Sequence, residues 1–178
     1  MTKQCEWYVL RVTYQRELAA HKLLDDNGIT NFVPTILVRR NGRDGKFKWE
    51  RKAAIHNYVF VHADKATIQS LKTHLIPYLR YVMTSADGQS RIQTVPEWQM
   101  RNFIAVAGNA HERALFLDPL EVNLSRGDTV RITGGPFEGV EGTFLSVRNE
   151  KEKRVVVKIE GIAAVATTVI PSSLVEKL

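Results

Sequence analysis

The sequence predicts an α+β fold: an antiparallel sheet flanked by helices, followed by a small five-stranded β-barrel. In the first part of the chain, short β-prone segments alternate with amphipathic helices, whereas the last third shows only short strands between turn signals. The charge changes in the same region, because residues 1–110 carry 16 basic and 9 acidic residues and residues 111–178 carry 9 and 10. We therefore predict a first domain, a linker and a second domain at residues 1–108, 109–122 and 123–178.

The elements of the first domain are predicted from their hydrophobic patterns. Apolar residues at helical spacing, bounded by capping residues, predict helices at 16–27, from Asp64 to about Leu75, and from Pro96 onwards. Runs rich in β-branched and aromatic residues predict strands at 6–13, 32–38, 58–62 and 78–83. The hairpin-linked order of these strands favours an antiparallel sheet.

Five short strands are predicted in the second domain, at 129–133, 142–148, 154–160, 162–170 and 174–178. Turn signals such as Gly134-Gly135-Pro136 separate them. Closure of such strands into a barrel would remove exposed sheet edges. Residues 155–170 are rich in β-branched side chains, which predicts strands rather than helices there, although Ala163, Ala164 and Ala166 are good helix formers.

A strongly basic hairpin is predicted at residues 39–52. Asn41-Gly42 and Asp44-Gly45 are turn dipeptides between two extended arms, and the segment holds seven basic residues against two acidic ones. Phe47 and Trp49 alternate with lysines. Two interpretations remain open: a solvated charged loop, or a DNA-binding element in which aromatic rings stack on bases and cations neutralise phosphates. The candidate cations are Arg39, Arg40, Arg43, Lys46 and Lys48.

Several classes of protein are disfavoured by the sequence. Cys5 is the one cysteine, so no internal disulfide is expected, which suits a reducing cytoplasm. The sequence has neither a long apolar run nor a secretory signal. Residues 134–139 are rich in glycine but lack the lysine of a phosphate-binding loop, and they are interpreted as a turn. We find no pattern for a catalytic site, metal site or cofactor and predict a cytoplasmic protein that is not an enzyme.

The segment from Arg126 to Thr143 resembles the KOW motif of the NusG family of transcription factors. It contains Gly127-Asp128, then Val130 and Ile132 as inward-facing strand residues, then Gly135-Pro136-Phe137, and finally Gly139 and Gly142. The N-terminal half independently resembles the NGN domain of the same family. The matching segments are Trp7-Tyr8-Val9, Val33-Pro34 and Asn57-Tyr58-Val59-Phe60-Val61.

This resemblance implies a transcription elongation and antitermination factor that binds the clamp helices of RNA polymerase through its NGN domain. The implied polymerase-binding residues are Tyr58, Phe60, Tyr81 and Met100. Tyr58 and Phe60 are two apart on a strand and share a face, so we expect an open aromatic patch around them. The alternative is that these aromatic side chains belong to the core. The resemblance also implies that the basic hairpin lies near upstream DNA, that His21 and Lys22 are candidates for contacting the non-template strand, and that Phe137 and Ile162 bind a partner of the KOW domain such as a ribosomal protein.

Two departures from the general family pattern predict a specialised, RfaH-like member. His56-Asn57 stands where general members have Pro-Gly, and Gly161-Ile162-Ala163-Ala164 replaces a Phe-Gly-Arg segment. Such a member would act on selected operons. The alternative function is an RNA-binding, ribosome-associated KOW protein, but residues 111–178 have a net charge of −1, which suits RNA poorly.

Overall fold

The computed structural model describes residues 4–43, 45–86, 88–109, 113–147 and 151–178. The chain divides into two compact units, Met1–Glu97 and Trp98–Leu178. Parts of three predicted features lie outside the described residues. They are Asp44 of the predicted turn, positions 110–112 of the predicted linker, and Arg148–Glu150 around the end of one predicted strand. Within the described ranges, no helix is long and apolar enough to cross a membrane.

The first unit contains two helices and several strands among its described residues. In chain order the elements are β1 (Glu6–Arg11), α1 (Glu17–Asp26), β2 (Asn31–Phe32), β3 (Thr35–Asn41), β4 (Phe47–Ala53), β5 (Tyr58–Ala63), α2 (Lys65–Ser70), β6 (Arg80–Tyr81), β7 (Met83–Ala86), β8 (Gln89–Ile92) and β9 (Thr94–Val95). Asp64 caps α2 as predicted, since its carboxylate accepts a hydrogen bond from the Thr67 N–H at 2.9 Å. A π-helical turn at Leu71–Leu75 extends α2 to the predicted end.

The main sheet of this unit is antiparallel, with strand order β2-β5-β1-β6 and β9 also paired to β1. Leu10 lies opposite Val59, and Val9 lies opposite Phe60. Directly opposite residues share a face, so the Leu10 face and the Val9 face are distinct. The core on the Leu10 face includes Ala20 of α1 and Ile68 of α2. The predicted α+β class is confirmed.

A buried carboxylate fixes the start of β5. Glu17 is only 2% exposed and accepts a hydrogen bond from the backbone N–H of Asn57. The Asn57 carbonyl accepts in turn from the Val12 N–H at 2.9 Å. Asn57 has a φ of +70°, a left-handed conformation that asparagine and glycine tolerate best. These contacts set the position of Tyr58, the next residue.

The second unit contains a helix followed by a larger sheet. Its elements are α3 (Glu97–Ala107, whose first residue ends the first unit), β10 (Leu115–Leu117), β11 (Asp128–Ile132), β12 (Glu141–Ser146), β13 (Lys153–Ile159), β14 (Ala163–Ala166) and β15 (Val175–Lys177). Two side-chain amides join α3 to the sheet: Gln99 donates to the Lys158 carbonyl at 2.6 Å, and Asn102 accepts from the Glu141 N–H at 3.2 Å.

The sheet of the second unit is antiparallel, with strand order β10-β14-β13-β12-β11-β15. All five predicted strands are present, and residues 155–170 contain the end of β13, a turn and β14 but no helix, as predicted. The prediction of five strands was incomplete, because β10 comes from the segment predicted as a linker. Leu115 and Leu117 on β10 pack on a cluster that includes Leu145, Val156 and Ala164. The gain of buried apolar surface explains why this segment is ordered against the sheet.

The Gly-rich turn between β11 and β12 matches the predicted motif. Gly139 has a φ of +84°, which a side chain would strain. Gly142 allows close strand approach, since a Cβ there would lie 2.6 Å from the Val156 carbonyl oxygen. Phe137, in the turn of the same motif, is 1% exposed. The motif glycines therefore serve backbone geometry.

Candidate functional site

The basic segment forms the predicted hairpin. Strands β3 and β4 pair as a separate two-stranded sheet, with Arg39 opposite Trp49 and Asn41 opposite Phe47. At the turn, the Gly42 N–H donates to the Lys46 carbonyl at 2.8 Å. The five candidate cations, Arg39, Arg40, Arg43, Lys46 and Lys48, are all exposed and are brought together on this one hairpin.

The two faces of the hairpin differ in composition, because side chains alternate along each strand and opposite residues share a face. We define the aromatic face as Leu37, Arg39, Asn41, Phe47, Trp49 and Arg51. We define the charged face as Ile36, Val38, Arg40, Lys48, Glu50 and Lys52. Leu37, Phe47 and Trp49 are 63%, 56% and 69% exposed, so the aromatic face presents large apolar side chains to solvent.

Each face has its own charge contact. On the aromatic face, the Arg39 guanidinium lies 3.2 Å from the centre of the Phe47 ring. On the charged face, Arg40 and Glu50 form an ion pair at 3.4 Å. Glu50 is the acidic residue within the described strands of the hairpin. It neutralises positive charge on the charged face and leaves the arginines of the aromatic face without an acidic neighbour on that face.

His21 and Lys22, the weaker candidates for nucleic-acid contact, both have acidic neighbours. Lys22 Nζ lies 2.6 Å from Asp26, and His21 Nε2 lies 3.4 Å from Asp25, each one helical turn away on α1. The other ring nitrogen of His21 lies 2.6 Å from the Asn31 side chain. These partners reduce the positive potential that would attract phosphate.

Tyr58 and Phe60 share a sheet face, as predicted, but they do not form an open patch. Tyr58 is half-buried, whereas Phe60 is completely inaccessible to solvent. Val9, opposite Phe60 in the ladder, is also fully buried. The expectation that both aromatic rings are accessible is therefore wrong for Phe60. The face that carries Val59 and Val61 is buried, and the face that carries Val9 and Phe60 is buried as well.

Tyr81 does not join Tyr58, because it lies opposite Leu10 and so points to the other face of the sheet. Its ring lies 6.2 Å from that of Tyr8, and the Lys72 ammonium lies 3.9 Å from its centre. Burial raises the pKa of Tyr81 and is also the main cause that lowers the pKa of Lys72, with the charge of Arg80 second. Tyr58 and Tyr81, both predicted to bind polymerase, therefore do not lie on one face of the sheet.

The remaining predicted partner residues lie in the second unit and are buried. Met100 on α3 is fully inaccessible, Phe137 is 1% exposed and Ile162 is 7% exposed. None of these three side chains offers a surface for a partner in this conformation. The sequence pattern identified them correctly as apolar residues but could not distinguish a packed position from an exposed one.

The sequence predictions missed two arginines beside Tyr58. In the ladder, Arg11 lies between Tyr58 on β5 and Arg80 on β6. Both arginines are exposed, and like charges directly opposite each other destabilise a sheet. This pairing creates a cationic row at one end of the main sheet. Only the register brings Arg11 and Arg80 together, and 69 positions separate them in the sequence.

Comparison with protein families identifies the chain. The family model NusG, described as transcription termination factor nusG, matches residues 5–104, more than half of the 178 residues. The chain belongs to the NusG family. The predicted resemblance is thereby confirmed at the level of the family, and the chain is a transcription elongation or termination factor.

Comparison with curated proteins gives no match. Among solved structures, NusG of Thermotoga maritima, from a study of domain interaction, is 24% identical, with 98% of each chain covered and a TM-score of 0.43. Within the described residues, no group of three or more His, Cys, Asp or Glu side chains could hold a metal ion.

Proposed function

We propose that this NusG-family chain is an elongation and antitermination factor that binds the clamp helices of RNA polymerase and suppresses pausing or termination. Family membership over residues 5–104 is the observation that carries this proposal. Binding energy alone can produce the effect, since a ligand that binds one polymerase conformation more tightly shifts the population towards it. The proposal therefore requires a docking surface and no reacting group.

The surface we propose for polymerase is centred on Tyr58 with its neighbours Arg11 and Arg80. A half-buried tyrosine with one arginine directly opposite it, and a second arginine one strand further, has the composition of a binding hot spot, because tyrosine and arginine are enriched there. Phe60 and Met100 are inaccessible, so they contact polymerase only if a conformational change exposes them. Tyr81 contributes from the opposite face, by supporting the sheet rather than by touching the same partner.

The basic hairpin is proposed to bind DNA close to the polymerase. Exposed Arg39, Arg40, Arg43, Lys46 and Lys48 supply positive charge that phosphates would neutralise. Replacing these five residues with glutamine should flatten the dependence of log affinity on log salt concentration by about one unit for each phosphate that is no longer neutralised. An unchanged slope would support the interpretation as a solvated loop.

A specialised, operon-restricted role is proposed mainly from the Gly161-Ile162 segment. The other departure, Asn57 in place of glycine, has a simpler explanation: its φ of +70° accepts either residue. The loss of an arginine beside Ile162 remains a chemical difference that could change the partner of the second unit. A ribosomal protein is the proposed partner class for that unit, although Phe137 and Ile162 are buried here.

The central test is co-purification of the full-length chain with core RNA polymerase, with and without the clamp helices. Removal of the clamp helices should abolish binding, and Tyr58→Ala should weaken it by about 30-fold, as expected for a hot-spot residue. Tyr14→Ala is the matched control, because Tyr14 is 86% exposed and is not part of the proposed surface. Undiminished binding to the polymerase that lacks clamp helices would disprove the proposed docking mode, and capture of ribosomes without polymerase would favour the RNA-binding alternative.

A further inference from the structure

Charge alone does not explain the composition of the aromatic face of the β3–β4 hairpin. A solvated loop or a purely electrostatic DNA contact would need only the lysines and arginines. Instead Leu37, Phe47 and Trp49 are each more than half exposed on one face. A two-stranded hairpin has no core of its own, so these side chains contribute little to folding where they are. Their exposure is better explained by a ligand that covers them.

The spacing of the two rings selects the kind of ligand. Phe47 and Trp49 are two residues apart on β4, and a strand rises about 3.3 Å per residue, which separates their side chains by roughly 6.6 Å. Nucleotides in a B-form strand are about 3.4 Å apart, and their bases are stacked and paired inside the duplex. Neighbouring bases can therefore reach both rings only in a strand that is unpaired and stretched.

The charges of the aromatic face complement such a strand. Arg39 lies opposite Trp49 and stacks on Phe47 at 3.2 Å, and Phe47 is still 56% exposed. Arg51 lies on the same face, beyond Trp49. Glu50, the acid that pairs with Arg40, lies on the charged face. Aromatic rings next to arginines are the combination that binds single-stranded nucleic acids, in which bases stack on aromatic rings and phosphates contact cations.

We propose that the aromatic face of this hairpin binds an unpaired stretch of nucleic acid, with bases stacked on Trp49 and Phe47 and phosphates held by Arg39 and Arg51. This inference rests on the proposed function and specifies the ligand of the hairpin as a single strand rather than a duplex. Stacking tolerates any base, so the face should bind with little sequence preference. DNA and RNA share this chemistry, and oligonucleotides of each kind distinguish them.

The test measures binding of the full-length chain to labelled oligothymidylate, oligouridylate and a DNA duplex of equal length by fluorescence anisotropy. The double variant Phe47→Ala with Trp49→Ala should lose about tenfold or more of its affinity for single strands, as removal of stacking partners does elsewhere. Its affinity for the duplex should change less than about twofold, because phosphate contacts remain. Arg40→Gln with Lys48→Gln, on the charged face, should weaken single-strand and duplex binding alike.

Two further variants separate stacking from simple apolar contact. Trp49→Leu keeps an apolar side chain but removes the ring, so it should lose most of the single-strand affinity that Trp49→Ala loses. Trp98→Leu is the matched control, because Trp98 is 57% exposed but lies in the other unit. In a Trp98→Phe background, where Trp7 is buried, single strands should quench the fluorescence of Trp49 and the duplex should not.

The outcomes distinguish this inference from the function on which it rests. Two results would overturn the stacking proposal without affecting the proposal that the hairpin binds DNA. One is a Trp49→Leu variant that keeps its full affinity for single strands. The other is an aromatic double variant that loses equal affinity for single strands and for the duplex. Absence of binding to every nucleic acid would overturn both. Concentration-dependent dimerisation that Trp49→Ala abolishes would identify a second copy of the chain as the occupant and would also overturn the proposal.

Discussion

The β3–β4 hairpin and the sheet of the second unit use the same residue types in opposite ways. In the hairpin, Phe47 and Trp49 are 56% and 69% exposed. In the second unit, Phe137 and Phe144 are 1% and 8% exposed. Both regions are antiparallel β-structure, so the backbone does not cause the difference. What differs is the number of strands, because six strands can enclose a core and two cannot.

This contrast indicates that apolar residues of the second unit affect the stability of the fold, whereas those of the hairpin are available to affect binding. A buried ring in the second unit contributes to the free energy of unfolding. An exposed ring on the hairpin contributes little to it and is available to a partner. Stability measurements and binding measurements should therefore respond to different aromatic residues, and matched substitutions in the two regions can test that separation.

The largest expected effect is on the stability of the second unit. Phe137→Ala should lower the free energy of unfolding by about 3–5 kcal/mol, because it leaves a cavity where a ring was fully packed. Phe47→Ala is the same chemical change on the hairpin and should cost about 0.5 kcal/mol or less. Urea unfolding followed by circular dichroism measures both. Similar losses for the two variants would contradict the comparison.

A smaller effect is expected where strands of the second unit approach closely. Gly142→Ala would place a Cβ 2.6 Å from the Val156 carbonyl oxygen and 2.8 Å from Val155 Cγ1. This overpacking should cost about 1–3 kcal/mol. Gly134→Ala is the control in the same unit, since its Cβ would lie 3.5 Å from Leu174, an ordinary contact, and should change stability by about 0.5 kcal/mol or less. If both variants unfold at the same urea concentration, the close approach of the strands at Gly142 does not determine the stability of this unit.

The smallest effect is expected at an exposed ion pair of the second unit. Lys177 Nζ lies 2.6 Å from Asp128, and its hydrogen bond, followed by its charge, lowers the pKa of Asp128. A carboxyl group whose folded pKa is lowered adds stability above its unfolded pKa, and this contribution is lost as the pH falls through the folded value. Lys177→Met should therefore lower the thermal midpoint slightly at neutral pH and not in strong acid.

Differential scanning calorimetry across that pH range checks this prediction. Lys151→Met is a suitable control, because it removes an exposed lysine of the same unit that is not the partner of Asp128. The thermal midpoints of Lys177→Met and the unmodified chain should converge in acid. If their difference persists undiminished there, the ion pair is not its cause.

Local sequence patterns predicted most of the elements but not the pairing between them. The Asp64 cap, the end of α1 before Gly28 and the hairpin turn all depend on neighbouring residues, and the structure contains each of them. The strand β10 was missed because Leu115–Leu117 shows no alternation of polar and apolar residues. Its order depends on a distant partner, β14, that local pattern does not reveal.

For the candidate sites, too, the sequence predicted what depends on neighbouring residues and missed what depends on pairing between distant strands. The cations of the hairpin are close in sequence, so the sequence alone placed them together. Tyr58 and Phe60 share a face because they are two apart on one strand, which is also a local property. The separation of Tyr81 from Tyr58 and the position of Arg11 beside Tyr58 were not predicted, because they depend on how β1 pairs with β6 and with β5. Burial of Phe60 likewise depends on long-range packing.

The strand β10 also limits how the second unit can be cut from the chain. A recombinant fragment that begins after Leu117 would leave the backbone edge of β14 unpaired. It would also uncover the apolar cluster that Leu115 and Leu117 pack against, which contains Leu145, Val147 and Val156. An unprotected edge next to apolar surface favours aggregation. The shortest well-behaved fragment of this unit therefore starts no later than Leu115, well before the glycine-rich motif that identifies it in the sequence.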